Sequence, residues 1–153
     1  MRIAVQDDRF DLGEESQRFM ADIVAVGANS GAIVTFTGVV RGSDSGDMVA
    51  MEIEHYPGMT ERAIEQITQE AVQRWSLADV LVIHRHGRLT PGEQIMMVAT
   101  AARHRSDAFE AAEYLMDYLK SRAPFWKKEM RQDGEGAWVE AKDSDEDALA
   151  RWD

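Results

Sequence analysis

Two apolar, strand-like runs, Val80–His86 and Gln94–Ala101, are separated only by GRLTPGE, and this arrangement restricts the fold more than any other feature of the chain. The Pro-Gly pair favours a reversal, so the runs predict an antiparallel hairpin. Phe125–Met130 and Ala137–Ala141, around QDGEGA, predict a second one. Between the strand signals lie helical ones. Phe19, Met20, Ile23 and Val24 recur at helical spacing over 14–26. Ala63, Ile64, Ile67, Ala71 and Trp75 form the inner stripe of a second helix, with Thr60 as its N-cap. A long helix begins at Ser106, turns Phe109, Ala112, Leu115, Met116 and Leu119 inward, and is stopped by Pro124. Two antiparallel hairpins interleaved with helices predict the α+β class rather than a doubly wound parallel sheet.

The rest of the chain fits one domain over 1–153. Gly31–Val40 (GAIVTFTGVV) reads as a buried strand, and RGSDSGD at 41–47 as a mobile loop with nothing to bury. Val49, Met51, Ile53 and His55 alternate with Ala50, Glu52 and Glu54 in a strand that ends at Pro57-Gly58. A short helix is expected over 144–152. No apolar run approaches the roughly 20 residues of a membrane span. Arg2, Asp7, Asp8, Arg9 and Asp11 interrupt the N-terminal stretch, which therefore lacks a signal-peptide centre. A cytoplasmic protein is expected.

Charge and cysteine content narrow the chemistry. With no cysteine, the chain has no disulfide, no thiolate metal site and no nucleophilic sulfur of its own, so any sulfur must arrive on another molecule. A net charge of −11 argues against general nucleic-acid binding. Yet Arg103–Arg131 holds seven basic residues against five acidic ones, and three of the four lysines, Lys120, Lys127 and Lys128, fall within nine residues. Such an island is either a solvated face or a site for a small anion or an acidic tail.

Candidate residues cluster around the long helix. Arg103-His104-Arg105 precedes its N-terminus, where free backbone N–H groups and the dipole favour an anion, although His104 can equally serve as a packing or capping residue. Lys120 and Arg122 occupy the last turn, where cations also stabilise a helix. APFWKKE then sets Phe125 and Trp126 beside Lys127 and Lys128, which suits a planar heterocycle carrying phosphate, while at least one of the aromatic residues is expected in the core. His84 and His86 share a strand face, but no third ligand stands at a recognisable spacing, so no metal and no cofactor is expected. P-loop, GxSxG and dinucleotide-binding patterns are absent.

Five segments, in order, resemble the large-subunit family of molybdopterin synthase: TFTGVVRG (35–42), EHYPGMTE (54–61), VIHRHGRLTPGE (82–93), HRSDAFEAAEYLMDYLKSRAPFWKKE (104–129) and WVEA (138–141). The resemblance implies an α/β hammerhead fold and a homodimer within a heterotetramer that includes two small ubiquitin-like sulfur carriers. It further implies that the carrier's C-terminal Gly-Gly thiocarboxylate delivers sulfur to cyclic pyranopterin monophosphate, giving the dithiolene of molybdopterin. Carried over residue by residue, it makes Lys120 and Lys127 catalytic and Arg41, His104 and Arg105 substrate-anion ligands, with Phe36 and Arg122 in weaker binding roles. Val39 and Lys142 depart from the family pattern, which carries basic residues there, an arginine in the case of Lys142. A function from another class remains open on the residues alone: a non-catalytic module that docks an acidic or ubiquitin-like tail.

Overall fold

The computed structural model describes residues 1–153. In chain order the elements are β1 (Arg2–Gln6), α1 (Leu12–Ala25), β2 (Ala32–Val39), β3 (Met48–His55), α2 (Met59–Trp75), β4 (Asp79–Arg85), β5 (Gly87–Leu89), β6 (Gln94–Ala102), α3 (Arg105–Ser121), β7 (Phe125–Arg131), β8 (Gly136–Trp138) and α4 (Asp143–Ala150). The strands form two four-stranded sheets, one ordered β1-β4-β6-β2 and the other β5-β3-β7-β8. Both expected hairpins are present, with β4 antiparallel to β6 and β7 antiparallel to β8. The fold is α+β, and its one parallel pair is β1 with β4.

Helices cover the first sheet on both faces. Val80 and Val82 of β4 join the larger core under α2 and α3, whereas Leu81 and Ile83 join Phe19 and Ile23 of α1 on the other side. This explains why β4 and β6 read as unbroken apolar runs rather than alternating ones. β1 has no counterpart in the sequence reading: its five residues are too few, and too closely flanked by charge, to show a period.

Several sequence expectations change. β2 is not buried. It forms the sheet edge, with Ile33, Phe36 and Val39 exposed, because a β-branched, aromatic composition reports strand pairing and not which face is covered. Met20 and Val24 of α1 and Phe109 of α3 also face outward. The buried stripe of α3 includes Ala108, Ala111, Ala112, Leu115 and Leu119, and Phe109 lies outside it. On β3, the expected outer residue Ala50 is buried, as is Met48. Segment 41–47 contains a turn in which Ser43 and Ser45 donate hydroxyl hydrogen bonds to Asp47, and these hold the Asp47 carboxyl below its ordinary range.

Thr60 is not a cap. The N-cap is Gly58, at φ +80°, a conformation that glycine adopts without steric cost. Thr60, the second residue of the helix, is fully buried; its hydroxyl oxygen accepts from the Tyr56 N–H (3.0 Å), and its O–H donates to the Pro124 carbonyl (3.2 Å). It thus ties the start of α2 to the entry of β7. Thr60→Val is expected to leave both backbone groups unpaired and lower the unfolding free energy by about 2 kcal/mol. A urea midpoint matching the wild type would overturn this account.

Candidate active site

The turn after α3 creates the site. The helix leaves β6 at Ala102 and doubles back over β6 and β2, so its C-terminal turn returns toward the Val39–Arg41 end of β2. Arg122–Pro124 then reverses the chain into β7, which pairs with β3 through His55↔Phe125, Ile53↔Lys127 and Met51↔Glu129. Side chains directly opposite in an antiparallel pair share a face. Lys127 therefore rises beside buried Ile53 and between Phe125 and Glu129.

Burial is the main reason the Lys127 amine is held below the usual lysine range, and the ammonium groups of Lys120 and Lys142 lower it further while the carboxylate of Asp145 opposes them. Lys120 stands exposed in the last turn of α3. Two catalytic candidates from separate elements thus meet in one electrostatic neighbourhood. The C-terminal segment supplies the rest of it: the Ser121 hydroxyl donates to the Asp145 carbonyl (3.1 Å), which seats the start of α4 against the end of α3. Asp145 was not expected from sequence, because an acidic run such as DSDEDALA signals only a solvated helix.

Neighbours of Lys127 along the chain separate by strand alternation. Lys128 lies on the opposite face of β7, with its ammonium 5.3 Å from the Trp138 ring. Trp126 shares that outer face, is partly exposed, and lines a cleft of about 270 Å³ with Glu54, His55, Tyr56 and Trp138. Phe125 points the other way and stacks on the ring of buried His84, centroids 3.8 Å apart and planes 17° from parallel. The aromatic residue that shares the Lys127 face of β7 is Phe125, and it is partly buried against the core. His84 and His86 do not act as a pair, since His86 meets His55 at 4.1 Å.

The remaining candidates divide. Arg41 is exposed at the Lys120 end and makes no ion pair. Arg122 is committed to Glu146 at 2.8 Å, so its guanidinium helps to seat α4. Phe36 lies on the exposed β2 edge. His104 and Arg105 are exposed at the far end of α3, and His104, although the N-cap residue, makes no side-chain capping bond. At 1.5 Å per residue, the 15 residues from Arg105 to Lys120 span about 22 Å. One chain alone does not bring all the candidates together.

A model of the MoaE protein family matches residues 5–122. The chain is 65% identical over 152 residues to the molybdopterin synthase catalytic subunit of Cereibacter sphaeroides, covering 99% of this chain and 100% of that protein. It is 49% identical to the subunit of the same name from Escherichia coli K12, covering 99% and 97%. Among solved structures, the molybdopterin biosynthesis MoaE protein from Burkholderia ambifaria superposes with a TM-score of 0.79 at 51% identity, covering 99% of this chain and 98% of that one. Molybdopterin synthase from Staphylococcus aureus gives 0.79 at 29% identity, covering 92% and 98%.

Proposed function

Because the chain belongs to the MoaE protein family, we propose that it is the catalytic subunit of a molybdopterin synthase, a sulfur-transfer enzyme working as a homodimer within a heterotetramer. Its donor is the C-terminal Gly-Gly thiocarboxylate of a small ubiquitin-like carrier, and its acceptor is cyclic pyranopterin monophosphate. The observation that carries the site assignment is the placement of Lys127, half-buried on the inner face of β7 within electrostatic reach of Lys120.

Both reactants are anions and the chain holds no sulfur nucleophile, so its work is to bring the two together and to manage protons. Lys120 and Arg41, unpaired and exposed at one end of the fold, attract the carrier carboxyl terminus and the substrate phosphate. In each of two transfers the thiocarboxylate sulfur bonds to a side-chain carbon of the pterin as a C–O bond of that carbon breaks. In one transfer that bond is to a cyclic-phosphate oxygen, which opens the ring to a phosphate monoester, and in the other it is to an oxygen that leaves as water. The carrier is left attached as a thioester. Water then adds to the acyl carbon and the carbon–sulfur bond to the carrier breaks. Sulfur stays on the pterin and the carrier leaves as a carboxylate. That hydrolysis releases one proton, and Lys127, biased toward the free amine, is placed to take it. His104 and Arg105 bind substrate anion from the second copy of the chain.

Reconstitution tests this reading. The protein supplied with thiocarboxylated carrier and cyclic pyranopterin monophosphate is expected to give dithiolene product with two carrier carboxylates released per dithiolene. Carrier binding that weakens with salt, with no product under any donor supply, would instead identify a docking module.

A further inference from the structure

His84 is nearly excluded from solvent, lies outside the group of residues assigned to the reaction, and yet sits directly under β7. We propose that His84 is a positioning residue for Lys127: its ring, tied to the end of β4 and stacked on Phe125, seats β7 so that the Lys127 amine stays on the covered face of the second sheet. The inference rests on the role given to Lys127 above.

The ring's state follows from its contacts. Nδ1 lies 2.8 Å from the Arg85 carbonyl oxygen, and since a carbonyl only accepts, Nδ1 carries the hydrogen. Burial lowers the ring's pKa to about 3, so it is neutral and Nε2 is unprotonated. A neutral ring can lie flat on Phe125 with an ammonium close by; an imidazolium there would place a second cation beside Lys127 in apolar surroundings.

Its mounting is rigid. Arg85, whose carbonyl holds the ring, is itself buried, and its guanidinium donates to the Asp7 carbonyl (2.9 and 3.2 Å), the Gln94 carbonyl (3.3 Å) and the Glu93 carboxylate (3.2 Å). These bonds lock β1, β4 and the start of β6 together. His84 therefore belongs to the fixed first sheet, while Phe125 begins a strand of the second. Their stack joins the two sheets two residues before Lys127, on the face from which Lys127 rises. The charged and titratable groups around that amine are Lys120 from α3, Lys142 and Asp145 from the C-terminal segment, His84 from β4 and Glu129 from its own strand, with His55 across on β3. Tilting β7 out of register with the stack would expose Lys127 and alter its distance to every one of them.

Only four lysines are present, so ¹³C-methylation of the amines and NMR titration follow each one in the intact protein, with the Lys127 signal identified by its loss in Lys127→Arg. In the wild type, Lys127 is expected to titrate below an ordinary lysine. His84→Ala is expected to move it up toward the ordinary value and to lower kcat about tenfold, with KM for the carrier within about twofold, as suits a misplaced group rather than a lost binding contact. His84→Phe keeps a stacking ring and should restore the low titration. Phe125→Leu breaks the stack from the other side and should reproduce the His84→Ala shift, which provides a second reading if His84→Ala does not fold. An unmoved Lys127 in whichever of these two stack-breaking variants is folded, or a His84→Phe protein shifted as far as His84→Ala, overturns the proposal. Titration needs no turnover. An inactive wild type with the low Lys127 titration would defeat the enzymatic reading and leave the positioning intact.

Discussion

Lys127→Ala is expected to reduce dithiolene formation about 10²–10⁴-fold, the range for losing a positioned acid–base group, while the protein remains folded and still binds carrier. Lys127→Arg is expected to do no better. It keeps the positive charge but never gives up its proton, so it separates a charge-only role from a proton-accepting one. High activity in the arginine variant would show that charge alone suffices and would remove the proton step from the mechanism.

The pH dependence carries a definite sign. A lysine accepts a proton only as the free amine, so the rate should rise as pH increases through the Lys127 pKa, and burial puts that limb below the ordinary lysine value. Lys142→Ala removes a like charge, raises the pKa and shifts the limb to higher pH. Asp145→Asn removes an opposing carboxylate and shifts it to lower pH. A rate limb indifferent to both substitutions would mean that some other group titrates.

How far these residues could be read beforehand depends on the range of the interaction. The helices around Ile64 and Leu115 and both hairpins show in local periodicity, which one stretch of chain carries by itself. The basic island was visible in the same way. Whether Lys127 or Lys128 turns inward depends on how β7 registers with β3, some 75 residues earlier, and no local pattern states it. The same holds for the His84–Phe125 stack and for Asp145, contacts between distant segments. The crowding of cations is legible in the sequence, whereas the burial that lowers the Lys127 amine most strongly is not.

Mixed dimers give the other large effect. Arg105 and Lys120 lie about 22 Å apart on one straight helix, and side chains reaching roughly 6 Å each cannot both touch one phosphate. If both ends of α3 serve the same substrate, each site must take Lys120 from one copy and Arg105 from the other. The exposed β2 edge, with Ile33 and Phe36, and Phe109 near the His104 end of α3 provide apolar surface for that second copy to cover. Lys120→Ala and Arg105→Ala homodimers are each expected to lose most activity, because every site in either one lacks a required cation. A heterodimer of the two has one site with both cations intact and one with neither. Random pairing from co-expression makes half the dimers mixed, so the pool should recover about a quarter of wild-type activity, and isolated heterodimers about half. Residues acting within a single chain predict no recovery, since every site would still carry one of the two lesions. A mixed pool no more active than the average of its parents would therefore place each site wholly within one copy, and would remove His104 and Arg105 from it.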